Sequence, residues 1–238
     1  AHVVVALCDN EHQGIVPVPQ QLGNGRDPRS NLYWGALYGV RSYFARNGWQ
    51  ALAAEKPSDA RVLERALFFA EVARGSKTVP VYVVAEAWDG AQIEPAIRSF
   101  LEMSAGRAGA VIHFERGGSE REISAGGAAH LVAFVGHDGL MDFSVPTPAA
   151  GRGTPRSAIV LACSSRAYFS DHLAAAGAHP LLLTTGLMAP EAYTLDAAIR
   201  AWASGAPPSD VREAAAGAYH RYQQCGLRAA RGLFTTSP

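Results

Sequence analysis

Short apolar runs dense in valine, isoleucine, leucine and alanine recur along the chain at residues 3–8, 50–55, 79–88, 130–135, 158–162 and 180–185. Each is nearly continuously apolar rather than alternating, which is the pattern of a strand covered on both faces. Amphipathic stretches of helical period lie between them. Over residues 31–46, Leu32, Trp34, Leu37, Tyr38, Val40 and Phe44 form an apolar side opposite Arg41, Ser42 and Arg46. Over residues 91–104, Ile93, Ala96, Ile97, Phe100 and Leu101 form one stripe behind Asp89 as N-cap. The carboxy-terminal third reads as helical. One helix opens at Ala192 or Thr194, runs through Trp202 and stops at Gly205 and the Pro207-Pro208 pair; a long one then runs from an Asp210 cap to about Ala230. Residues 62–73 suit either a crossover helix or, with 79–88 after Gly75-Ser76-Lys77, a β-hairpin.

Strands alternating with helices predict an α/β fold, a three-layer sandwich whose mostly parallel central sheet of about six strands is flanked by helices. Glycine and proline cluster at 14–28, 106–118 and 147–155, which read as loops. No serine-rich linker or internal repeat divides the chain, so residues 1–238 are read as one domain.

An open parallel sheet binds its ligands beyond the carboxyl ends of its strands. The residues that end the apolar runs are therefore the candidates: Cys8-Asp9-Asn10, Asp89-Gly90, Gly136-His137-Asp138-Gly139, Cys163-Ser164-Ser165 and Thr185-Gly186. Polar and reactive groups gather at such a rim because the middle of a covered sheet excludes them. His137 and Cys163 end successive runs, so side by side and parallel they emerge at one edge, about one strand spacing of ~5 Å apart. An imidazole there can deprotonate the thiol and make it a nucleophile. Gly136, Gly139, Ala162 and Ser164 leave room for a substrate backbone and expose amide N–H groups to a developing oxyanion.

Composition narrows the alternatives. The 21 acidic and 21 basic side chains balance and neither sign runs in a block, which excludes the footprint of a nucleic-acid binder or a polybasic membrane patch. No apolar run approaches the ~20 residues of a membrane span. The strand-like run that begins at once after Ala1 fits either a trimmed chain or a mature one exported after signal cleavage. Three cysteines, Cys8, Cys163 and Cys225, are too few for a disulfide framework and leave a free thiol. There is no CxxC or HExxH spacing, no metal or other cofactor is expected, and no Gly-x-Ser-x-Gly elbow suggests a serine hydrolase. The glycine-rich residues 21–28 lack both the lysine of a phosphate loop and the third glycine of a dinucleotide fingerprint.

A hydrophobic block ending in His and Gly, followed by a second ending in Ala-Cys, resembles the signature of the caspase-like cysteine peptidases, among them caspases, legumains, metacaspases, gingipains, separases and CHAT-domain proteins. Residues 130–139 and 158–165 carry it. The resemblance implies a caspase-hemoglobinase fold, His137 as general acid/base, Cys163 as nucleophile, and a peptide or protein as substrate. It also implies an oxyanion hole from the N–H of Cys163 and of the glycine after the histidine. Here Asp138 separates His137 from Gly139, so that donor is either the Asp138 amide or missing. Asp138 has a second candidate role, orienting the imidazole. Asp9 stands where peptidases of this group that prefer basic residues keep an acidic one, and with Ser164 it is a substrate-pocket candidate.

Two other readings stand beside a cysteine peptidase. One is a non-catalytic binding or scaffold domain of the same fold, in which Cys163 is core and Asp9 and Asp138 are turn residues. The other is a metal- or ligand-binding α/β domain using Asp9, His12, His137, Asp138 or Asp142.

Overall fold

In the computed structural model, which describes residues 1–151 and 153–237, five of the six apolar runs form the middle of one sheet, while 50–55 supplies its edge strand rather than a covered one. Its parallel core consists of β1 (His2–Ala6), β4 (Lys77–Trp88), β7 (Leu131–Val135), β8 (Ser157–Leu161) and β9 (His179–Thr184). On one side the sheet continues antiparallel through β3 (Val62–Arg74) and the edge strand β2 (Gln50–Leu52); on the other it closes with the short antiparallel β10 (Phe234–Thr235). The order across the sheet is β10-β9-β8-β7-β1-β4-β3-β2. The fold is thus α/β with a mostly parallel sheet, of eight strands rather than about six.

Side chains alternate across β1, β7 and β8, whereas at β9 the register shifts and Leu181 and Leu182 both enter one core. Val3, Val5, Leu131, Ala133, Val135, Ile159 and Leu161 enter one core, and Val4, Ala6, Val132, Phe134, Ala158 and Val160 the other. The first core is covered by α1 (Val40–Arg46), α4 (Ala192–Ala203) and α5 (Pro208–Gln223), the second by α2 (Ile93–Ser104) and α3 (Ser165–Ala175). Two covered faces are the physical reason that these strands read as continuous apolar runs.

Several expectations change. Residues 62–73 form the first arm of a hairpin with β4, turning at Gly75 with φ +60°. Residues 31–39 are a chain of turns, and only Val40–Arg46 is helical. The final helix is two, because Gln224 (φ 54°) and Gly226 (φ 86°) break it before α6 (Leu227–Leu233), and it opens on Pro208 at its first turn rather than on an Asp210 cap. Part of the 106–118 loop belongs to a second hairpin, β5 (Gly109–Arg116) and β6 (Ser119–Gly126), which packs Ile112 and Phe114 against Leu67 and Val84. Asp89 does cap its helix, accepting from the Ala91 N–H at 3.0 Å, through a 3-10 turn that precedes α2.

From β1 the chain steps to β4 on one side of it, then to β7 on the other. The reversal of direction lies between β1 and β7, and at such a switch point the loops part and leave a crevice beyond the carboxyl ends. His137 follows β7 at this place. No helix among the described residues is long and apolar enough to cross a membrane.

Candidate functional site

β7 and β8 are neighbours, parallel and in register, with Val135 opposite Leu161 and the Gly136 N–H donating to Leu161 O at 3.2 Å. His137 and Cys163 each follow two residues past these paired ends. The alternation that sends 133 and 135, and likewise 159 and 161, to one face assigns 137 and 163 to that face as well.

Each side chain has its own partner. His137, 10 % exposed in its side chain, bonds through Nε2 to Oδ2 of Asp142 at 2.6 Å. The carboxylate comes back to the imidazole because the chain after His137 makes a 3-10 turn over Gly139–Met141, closed by the Asp142 N–H on Gly139 O at 2.9 Å. Gly14 leaves room for it, since a Cβ there would stand 3.3 Å from Asp142 Oδ1. Cys163 is partly exposed and its thiol donates to Met188 O at 3.7 Å. No hydrogen bond joins imidazole to thiol among the described residues. In unliganded sites such bonds are often long and tighten only around substrate.

The turn that carries Cys163 is built by Ser164, Ser165 and Gly186 of the candidate rim together with Thr184, which the sequence reading did not single out. Ser164 is left-handed (φ 51°) and its N–H is held by Gly186 O at 2.9 Å, which folds the strand sharply into α3 and leaves Cys163 at the rim. Beneath it, fully buried Ser165 and Thr184 tie β8 to β9: Ser165 N–H donates to Thr184 Oγ1 at 3.0 Å, and Thr184 N–H to Ser165 Oγ at 2.9 Å. The start of α3 follows at once, and a helix amino terminus favours a nearby thiolate.

Amide donors are distributed in an informative way. The Gly139 N–H is spent on His137 O at 3.1 Å, whereas the N–H groups of Asp138 and Cys163 have no acceptor among the described residues. The Asp138 N–H is therefore uncommitted, in a residue that is itself fully buried. Its carboxyl turns away. Fully buried Asp138 caps the 3-10 turn through Oδ1, accepting from the Leu140 N–H at 3.1 Å, and its Oδ2 has no partner. Burial, with Asp142 adding to it, pushes this carboxyl up to about 7. Imidazole orientation therefore falls to Asp142 rather than Asp138.

This burial has a measurable consequence. A carboxyl whose pKa is higher folded than unfolded loses stability as pH rises from about 4 towards 7. Asp138→Asn removes that loss, so the variant should match the parent near pH 4 and exceed it by up to roughly 4 kcal/mol above pH 7. Urea unfolding of both proteins between pH 4 and 8 checks this; a gap that does not depend on pH contradicts it.

Asp9 ends β1 as expected but is occupied locally. Its Oδ1 accepts from the N–H groups of Glu11 (2.8 Å) and His12 (3.2 Å), and its Oδ2 stands 3.0 Å from His12 Nδ1. Gly25 and Gly90 press on it, a Cβ at Gly25 falling 2.2 Å from Oδ2. With Asn10, Glu11, His12 and Arg26 it lines a cavity of about 140 Å³. A larger cavity, about 530 Å³ between Tyr82, His130 and Trp202, lies by the starts of β1 and β7, far from the rim chemistry. We place the site at the rim nonetheless, because the reactive groups are there.

The remaining cysteines differ from Cys163. Cys8 is fully buried, and desolvation pushes its thiol up to about 11 against a hydrogen bond with Tyr33. Cys225 is exposed. No group of three or more His, Cys, Asp or Glu able to hold a metal ion occurs among the described residues. No protein-family model, curated protein or solved structure matches the chain.

Proposed function

We propose that the protein is a cysteine hydrolase with Cys163 as nucleophile and His137 as its base and acid. Within that class its particular form is a caspase-like peptidase, acting on a peptide or protein. The observation that carries the reading is the register of β7 on β8, two parallel neighbours that end level with one another on Val135 and Leu161, with His137 and Cys163 each two residues beyond. Support for the finer assignment comes from the parallel core, the two covered faces and the blocks at 130–139 and 158–165.

In this reading His137 takes the Cys163 proton and the thiolate attacks the substrate carbonyl, forming a C–S bond. The oxyanion is held by the N–H groups of Cys163 and Asp138. Collapse breaks the C–N bond, and the amine leaves with the proton that His137 carried. Water, deprotonated by His137, then hydrolyses the thioester and restores the thiol. Asp142 positions the imidazole and offsets the positive charge it acquires.

Cys163→Ser should abolish labelling by a thiol-directed acyl probe while circular dichroism and unfolding midpoint stay those of the parent. Equal labelling of the variant, read by intact-mass spectrometry, would leave a scaffold domain as the better reading.

A further inference from the structure

Between β9 and α4 the chain passes directly over Cys163. The Ser164 N–H holds Gly186 O (2.9 Å), the Cys163 thiol meets Met188 O (3.7 Å), the Ala189 N–H donates to the Tyr219 hydroxyl (3.2 Å), and the Ala192 N–H to Tyr38 O (2.8 Å). Glu191 is three residues past Met188, at most about 11 Å of extended chain, and the 2.8 Å bond from its N–H to Ala189 O shortens that span.

Its carboxylate is held in place by neutral groups. The Tyr193 hydroxyl (2.7 Å) and Gln223 Nε2 (3.0 Å) both donate to Oε2, while Oε1 accepts nothing and no lysine or arginine pairs with it among the described residues. The other carboxylates at the rim are committed: Asp9 to its own turn, Asp142 to His137, Asp89 to the Ala91 N–H and Arg26. The Tyr33 and Tyr219 hydroxyls, whose pKa is pushed up chiefly by burial, lie within the electrostatic reach of both Cys163 and Glu191. Beside Glu191 stand the stacked rings of Tyr193 and Tyr222, 4.3 Å apart, with Tyr38 edge-on to both. A carboxylate fixed by neutral donors next to aromatic faces suits a guanidinium or ammonium.

We infer that Glu191 is the specificity-determining residue of the site, selecting an arginine or lysine side chain on the residue whose carbonyl Cys163 attacks. The inference rests on the thiol-hydrolase reading above. A guanidinium lies on the order of 7 Å from its own carbonyl carbon when extended, within the ~11 Å of chain that separates Met188 from Glu191.

The test uses two matched peptidyl acyloxymethyl ketones, one ending in arginine and one in its uncharged isostere citrulline, with Cys163 labelling rates read by peptide-resolved mass spectrometry. The citrulline probe is the internal reference in each protein. The parent should favour arginine about 30-fold, the worth of a hydrogen bond to a charged group. Glu191→Gln, which keeps an acceptor for Tyr193 and Gln223, should bring the ratio close to one, and Glu191→Asp should fall between. A parent ratio near one, or a preference that survives in Glu191→Gln, overturns the inference. Iodoacetamide separates the two levels: selective alkylation of Cys163 without charge preference overturns only the role of Glu191, and an inert Cys163 overturns both.

Discussion

Replacing His137 by alanine should slow acylation of Cys163 at pH 7 by about 10²–10⁴-fold, the range that a positioned acid/base group contributes. The reason lies in the burial and connection of the imidazole. It is almost enclosed, it follows the strand that pairs in register with the one leading to the thiol, and its Nε2 is fixed by a 2.6 Å bond to Asp142. Without it the two carboxylates of the same turn do not replace it, since Asp142 is held by that turn and Asp138 points its carboxyl into the protein. Asp142→Asn should give a smaller loss of about tenfold, because a charge-assisted bond is weakened but the ring stays in place and the carboxylate is half exposed and screened. The rates are read by intact-mass spectrometry with one acyl probe. His137→Ala reacting within threefold of the parent would contradict the assigned role.

Phe134→Ala should be the most destabilising single change in the strand that carries the histidine. Phe134 is fully buried on the opposite face of β7, with the Phe100 and Phe169 rings each 5.9 Å from its centroid. These three rings bind α2 and α3 to the sheet, so truncation removes both transfer free energy and the filling of a rigid cavity, about 3–5 kcal/mol. For a domain of this size that lowers the melting temperature by roughly 6–20 °C. Urea unfolding of the variant checks it, and a cost below about 1 kcal/mol would mean that the second core is not packed as described. Acylation of Cys163 in the folded variant should fall much less than in His137→Ala, which separates packing from chemistry.

The central strands were legible because both faces of each are covered, so hydrophobicity alone marks β1, β7, β8 and β9 to within two residues of their ends. The same rule located His137 and Cys163, which begin where the covered sheet stops. The hairpin of β5 and β6 was read as loop because its turn, Gly117-Gly118 with φ of +63° and +73°, adds to a glycine cluster; a pair of positive-φ glycines between two strands is itself a hairpin signal. Residues 31–39 carry a helical stripe but fold as turns. There Asn31, fully buried, bonds the backbone N–H and O of Cys8 at 3.0 and 2.8 Å and pins the segment beneath β1, a tertiary contact that periodicity does not encode. Asp142 was named only for a metal- or ligand-binding reading and not as the partner of His137, and Glu191 was not named at all, for the same reason: neither ends an apolar run. The place of Asp138 between His137 and Gly139 was visible at once, but its effect was not, because only the backbone geometry shows its amide uncommitted and its carboxyl turned inward.

The most direct measurement compares the three thiols within one molecule. With iodoacetamide at pH 6.5 and peptide-resolved mass spectrometry, exposure alone orders them Cys225, then Cys163, then Cys8. An imidazole-activated thiol inverts the first two, so Cys163 should react at least about tenfold faster than Cys225, and this lead should vanish in His137→Ala. Alkylation that follows exposure, with Cys225 ahead and His137→Ala without effect, would contradict a catalytic His137 and Cys163.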